Sequence, residues 1–354
     1  MMRKMMMSVA VALGAAVWVS GAVTTYTVSN TNSSASVANS LPWALRQVAQ
    51  STTNNAPANL EFHIKFAPAV YGCRLPVYSS TVYLYSSYAK VVIDGTGSEE
   101  EILAAVRSLI GFLPSNNEEA AVSESSDDLN RLTAELEGVT DVRAIAQNLA
   151  DSYQFLETKK DFAKEMVTGF IRLDGVTTGI VGNGTEKLTP AGCEKAAEFV
   201  NFCDAFDIPV LSLTQVTGYA SSVEDEKAMA KAAAELVYAF ANATVPKINV
   251  ILQDAVGTAY VAMNSKAIGA DIVYAVEDAR IGIMDADLAA KIIGGDLKET
   301  AAEFAAKQTA LASARRGYVD ELVTMTNLRK NVLIALEMLF NKREDAQSKK
   351  HGAK

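Results

Sequence analysis

Histidine is nearly absent, with only His63 and His351 in 354 residues. A Ser/His/Asp triad or a His-rich metal centre is therefore very hard to assemble. Cysteine is scarce as well. Cys73, Cys193 and Cys203 are an odd set without the close pairing that a zinc site or a dithiol redox motif requires. Cys193 and Cys203 fall on one predicted helix and read as small buried hydrophobes. Positive charge is also in deficit: 32 Lys+Arg against 41 Asp+Glu leave a formal net charge of −9. That balance excludes a broad nucleic-acid surface, which needs a basic face to neutralise phosphates. The one basic cluster, the tail "KREDAQSKKHGAK", reads as a solvated end. What is present, 49% hydrophobic and 21% charged residues, is a globular profile with length enough for two domains.

The opening stretch "MMRKMMMSVAVALGAAVWVSGA", residues 1–22, has a short positive start and an apolar run too short to span a bilayer comfortably. Small residues Ser20 and Ala22 stand at a cleavage position. It reads as a secretory signal peptide, with a buried N-terminal helix as the alternative. Residues 23–97 are poor in charge and rich in Ser, Thr, Asn, Val and Tyr, with alternating runs such as "VYLYSSYAKVVIDG". This is a β-rich segment. The series "SLPWALRQVAQ", "LEFHIKFAP" and "AKVVIDGTG" resembles the start of secreted right-handed parallel β-helix proteins. A solenoid needs about three stacked repeats to bury a core, and this stretch has length for one or two.

At residue 98 the composition changes to Ala, Glu, Lys and Leu. In "GSEEEILAAVRSLIGFLPSNN", Ile102, Val106, Leu109 and Ile110 share one helical face and Pro114 closes the segment. The acidic run "EEAAVSESSDDLNRLTAELEG" is expected as solvated linker and exposed helix, making 98–160 a helical and acidic linker region. From 161 to 354 an α/β pattern emerges. "VTGFIRLDGVTTGIVGN" predicts a hairpin turning at Asp174-Gly175. Thr189 and Pro190 open a helix as N-cap and first residue, with an apolar stripe through Ala196, Val200 and Cys203. A strand "IPVLSLTQVTGY", a helix "SVEDEKAMAKAAAELVYAFANA" with an acidic first turn, and a strand "VPKINVILQDAVG" follow. In "NLRKNVLIALEMLFNKRE", Val332, Leu333, Leu336, Leu339 and Phe340 form a core or subunit-packing face.

Ligand sites in such folds gather at strand ends and the helix starts that follow. Two strand ends fit. Gly218 closes one; Gly257, Thr258 and Ala259 close the other, with "AYVAMNSKAIGA" behind them as a predicted helix. Amides at a helix start point outward unpaired and carry partial positive charge, so they can hold a developing oxyanion. Small side chains keep them reachable. Taken alone, the pattern fits equally a Gly and an Ala that let strand and helix pack closely.

Four stretches carry a family resemblance: "DFAKEMVTGFIRLDGVTTGIVGN", "AGCEKAAEFVNFCDAFDIPVLSLTQVTGY", "AELVYAFANATVPKINVILQDAVGTAYVAMNSKAIGADIVYA" and "RRGYVDELV". Over residues 100–354 the chain resembles the C-terminal half of biotin-dependent acyl-CoA carboxyltransferases, among them propionyl-CoA carboxylase β subunits and decarboxylase carboxyltransferase subunits. The resemblance implies a crotonase-like fold, repeated ββα units in a spiral. It implies carboxyl transfer between carboxybiotin, borne on a biotin carboxyl carrier protein, and an acyl-CoA, with no metal. Residues 257–259 match the "GGA" of the family's "YGGAY", which places the amides of Thr258 and Ala259 at the biotin carbonyl oxygen. Gly218 and Tyr219 match the end of "TPGF"; Val261, Met284 and Asp285 are the other implied substrate-side residues. Val256 replaces an aromatic, and Thr258 and Asp285 each replace Gly. The family's N-terminal half, which holds most of the acyl-CoA, has no counterpart here, so the resemblance implies a partner supplying it and a homo- or hetero-oligomer.

The two segments imply opposite compartments, secretory for the first and cytoplasmic for the carboxyltransferase part, as a fused or mis-joined reading frame would give. Two other readings stay open: a non-catalytic scaffold subunit of the same fold, and a secreted β-helix adhesin fragment in a chimeric chain.

Overall fold

The computed structural model describes residues 98–116, 121–185 and 187–342, together with four short strands before them. Two compact units divide the chain, 1–103 and 104–354. In the first, β1 (Val23–Val28) pairs in parallel with β2 (Glu61–Phe66), and β3 (Leu84–Tyr85) pairs antiparallel with β4 (Lys90–Val91). The signal-peptide segment, the remainder of the β-rich stretch and the tail beyond Lys342 lie outside the described residues.

Helix α1 (Glu99–Phe112) opens at Ser98 with a reciprocal cap: Ser98 N donates to Glu101 Oε2 at 2.7 Å and Glu101 N to Ser98 Oγ at 3.3 Å. Its inward residues are Leu109 and Phe112, whereas Ile110, expected on that face, is 65% exposed. The helix turns its last residues inward because Thr177 Oγ1 bonds the Phe112 carbonyl at 2.7 Å.

After α2 (Val142–Leu149) come β5 (Leu156–Thr158), β6 (Met166–Leu173) and β7 (Val176–Asn183), joined antiparallel. The β6–β7 turn has Asp174 at φ 53° and Gly175 at φ 74°. Two positive values define the tight hairpin that this dipeptide favours. Asp151 accepts from both turn amides, at 3.2 and 2.8 Å.

Beyond the hairpin each repeat lays a long strand into the main sheet, steps to a short strand outside it, and returns through a helix. β7, β8 (Lys187–Leu188) and α3 (Pro190–Ala205) make one such unit; β9 (Val210–Val216), β10 (Gly218–Tyr219) and α4 (Val223–Asn242) make the next. The long strands pair in parallel and so do β8 and β10. This is the expected ββα spiral of an α/β, crotonase-like fold. Then follow β11 (Lys247–Val256), α5 (Gly257–Ala262), β12 (Ile272–Val276), β13 (Arg280–Gly282), α6 (Ala286–Ile293), α7 (Leu297–Ala306), α8 (Ala310–Ala314), β14 (Glu321–Val323) and α9 (Leu328–Leu339). The sheet runs β14-β12-β11-β9-β7-β6-β5, with β13 paired to the far end of β11.

Alternation along the strands builds two cores. Val210 and Val216 of β9 face α3, α4 and α5, while Leu211 and Leu213 face α2 and α9. Full burial of such side chains stabilises by roughly 1.5–3 kcal/mol each. Thr189 caps α3 by accepting from Gly192 N, and Ala196, Val200 and Cys203 are buried beneath it.

The acidic run and the 98–160 linker expectation need correction. No exposed helix forms among its described residues; the chain there makes a short 3-10 turn and buries Thr133 and Leu136. Asp127 and Asp151 stand 3.4 and 2.6 Å from the fully buried Arg329, and Arg131 bonds the carbonyls of Asn148 and Ala150. The acidic side chains neutralise a buried guanidinium, which a reading by composition alone does not reveal. α2 in turn seats Val142, Ile145, Ala146 and Leu149 in the second core. In α9, Val332 is buried and Leu333, Leu336 and Leu339 pack against that core, but Phe340 is exposed.

Candidate active site

Parallel neighbours β9 and β11 end side by side, with a register shift between Ile251 and Ala255. Beyond β11 the backbone must turn at once into α5, and it does so at Gly257 with φ 68°. A Cβ there would lie 3.2 Å from the Ile283 carbonyl. Glycine is needed twice over, for its left-handed backbone and for the close approach.

Val256 precedes the helix and no side chain caps it. The amides of Gly257, Thr258 and Ala259 therefore have no partner within the helix. Thr258 is exposed; Ala259 and Tyr260 are buried. Burial pushes the Tyr260 phenol up to about 12, so it stays protonated and packs rather than titrates.

β10 lies against α5, which brings Gly218 and Tyr219 beside the same helix start. Burial also raises the half-buried Tyr219 phenol, and a side-chain hydrogen bond with Thr258 pulls it back. Met284 is drawn in through its neighbour Ile283. Gln308, almost fully buried, donates from Nε2 to the Met284 carbonyl at 2.5 Å and occupies the space above Gly282. Asp285 starts α6 as its cap, accepting from the amides of Asp287 and Leu288 at 3.0 and 3.1 Å. Val261 is partly buried and packs against the first core.

Four of the eight expected residues, Gly218, Tyr219, Gly257 and Thr258, thus share one surface at the carboxyl ends of β9 and β11, with Ala259 buried directly behind them. Gln308 and Ile283 were not anticipated. Neither stands in a local pattern, since their placement depends on β13 returning to the end of β11.

Residues 94–353 match the carboxyl transferase domain. The chain belongs to that family. The propionyl-CoA carboxylase beta chain of Roseobacter denitrificans (strain ATCC 33942 / OCh 114) is 39% identical over 280 residues, covering 72% of this chain and 54% of that protein. The methylmalonyl-CoA carboxyltransferase 12S subunit of Propionibacterium freudenreichii subsp. shermanii is 36% identical over 274 residues, 70% of this chain and 52% of the relative. A crystal structure of the transcarboxylase 12S hexamer with hydrolysed methylmalonyl-coenzyme A superposes with a TM-score of 0.66 at 36% identity, over 70% of this chain and 53% of that one. The carboxyl transferase domain here spans about half the length of the curated relatives it matches.

Proposed function

We propose that this carboxyl transferase domain carries the biotin-facing half of an acyl-CoA carboxyltransferase. It acts with a partner that supplies the acyl-CoA-holding half, within a homo- or hetero-oligomer. The observation that carries the reading is the bare helix start at Gly257, with Thr258 exposed and Gly218 adjacent. A planar ureido oxygen fits there because neither glycine offers a side chain to block it. When bound, carboxybiotin on its carrier protein supplies the carboxyl group and the leaving nitrogen.

The chain's own part is electrostatic. The amides of Thr258 and Ala259 meet charge building on the ureido oxygen, and loss of one such donor typically costs about 2.7–4 kcal/mol of transition-state stabilisation. Gly257 fixes their direction, Tyr219 restrains the Thr258 side chain, and the Ile283–Met284 strap pinned by Gln308 closes the side of the site. No histidine is required, because placement and dipoles do the work. Large apolar side chains at Ile283, Ile292, Ile293 and Leu297 stand exposed on the segment beside the site, which supports a second half covering it.

The test is carboxyl transfer from carboxybiotin to an acyl-CoA by the full chain mixed with a separately expressed N-terminal half. Transfer that falls by about a hundredfold or more in Gly257→Val supports the reading. Intact assembly of the two halves with no transfer overturns it in favour of a scaffold.

A further inference from the structure

Lys187 lies in the two-stranded parallel pair of β8 and β10, in register with Gly218, while Leu188 is in register with Tyr219. Its ammonium rests over the side-chain-free face of glycine: a Cβ on Gly218 would sit 3.8 Å from Lys187 Nζ. The side chain is exposed and, among the described residues, has no ion-pair partner. β10, with Tyr219 as the next residue, packs against the helix that starts at Gly257 and Thr258. Lys187, Gly218, Tyr219 and Thr258 therefore form one continuous edge leading to the bare amides of α5. Backbone amides carry only partial charge, whereas a ligand that delivers a carboxyl group carries a full one.

We infer that Lys187 is a specificity-determining residue of this site, pairing with the carboxylate of the carboxylated ligand; the inference rests on the reading of the site given above. The fit is chemical as well as spatial. A lysine ammonium is a compact charge with three rotatable donors, suited to a carboxylate that must be held and then released. In a chain of net charge −9, an unpaired cation beside the candidate oxyanion site is the feature that would draw in an anion.

Binding of biotinamide, of N1′-carboxybiotinamide freshly prepared at alkaline pH, and of free coenzyme A to the full chain tests this, with wild type, Lys187→Met and Lys187→Arg compared. Wild type should prefer the carboxylated probe by about threefold to fivefold, the range of an exposed ion pair, and the preference should shrink with added salt. Lys187→Met should abolish the preference and Lys187→Arg should keep it. A preference that survives Lys187→Met overturns the assignment and leaves the reading of the site standing. Loss of coenzyme A affinity in Lys187→Met, with the carboxylate preference unchanged, reassigns the lysine to a phosphate and equally overturns it. Failure of wild type to bind either biotin probe overturns the underlying reading, and the assignment with it.

Discussion

Lys195 is 1% exposed, yet its ammonium donates to the carbonyls of Lys159, Phe162 and Met166 at 2.9, 2.8 and 2.7 Å. It ties the loop before β6 to α3. Lys195→Met would leave those carbonyls short of donors and should cost about 3 kcal/mol in urea denaturation. Burial pushes the ammonium down to about 8, below the ordinary lysine value of roughly 10.4. Between those values the unfolded chain binds more protons than the folded one, so this residue's contribution to stability rises with pH across that window. The wild type should accordingly gain on the Met variant between them; a difference flat in pH would overturn that expectation. Nothing in "CEKAAEF" marks Lys195 as buried, because its acceptors come from a loop thirty residues back in the chain. Gly257 was legible for the opposite reason: its strand, its turn and its helix are contiguous.

Elements with local punctuation were read correctly and those ended by tertiary contacts were not. The β6–β7 hairpin and α3 follow from Asp174-Gly175 and Thr189-Pro190, signals set by backbone conformation and missing donors. The helix expected over "AYVAMNSKAIGA" stops at Ala262 instead. Asn249 of β11 donates to the Met263 carbonyl at 3.1 Å and accepts from Thr214 at 2.8 Å. Next in the chain, Asn264 adopts φ 54° and donates to Ser212 Oγ and to the Ile248 carbonyl. Side chains from the sheet thus take the carbonyl that a continuing helix would use. That capture fixes α5 at six residues and sets where its first amides lie. Asn249→Leu, similar in volume, removes the Asn249 donor from the Met263 carbonyl and leaves Thr214 only that carbonyl at 3.4 Å as acceptor, and should destabilise by about 2 kcal/mol. A urea midpoint within error of wild type would show that the capture is not what ends the helix.

At the scale of the molecule, the chain divides into two compact units, 1–103 and 104–354, and the composition changes at residue 98. The second expected boundary, at 160, has no physical counterpart: the residues before it give α2 to one core and two aspartates to the buried Arg329. Charge pattern misled there because a solvated acidic run and one that neutralises an interior cation look alike in sequence. A self-sufficient fragment must therefore start before 104, and the Ser98–Glu101 cap sets the start, since a helix truncated inside its first turn loses those bonds. A fragment of residues 98–354 should fold and lose its far-ultraviolet circular dichroism in one cooperative urea transition. One beginning at 161 lacks α2 with Val142, Ile145 and Leu149 of the second core, at roughly 1.5–3 kcal/mol for each such side chain, and strips Arg329 of Asp127 and Asp151. Most of an ordinary domain's stability is then gone, and that fragment should be aggregated or non-cooperative. A cooperative transition in the shorter fragment would sink the claim that residues 104–160 are part of the fold.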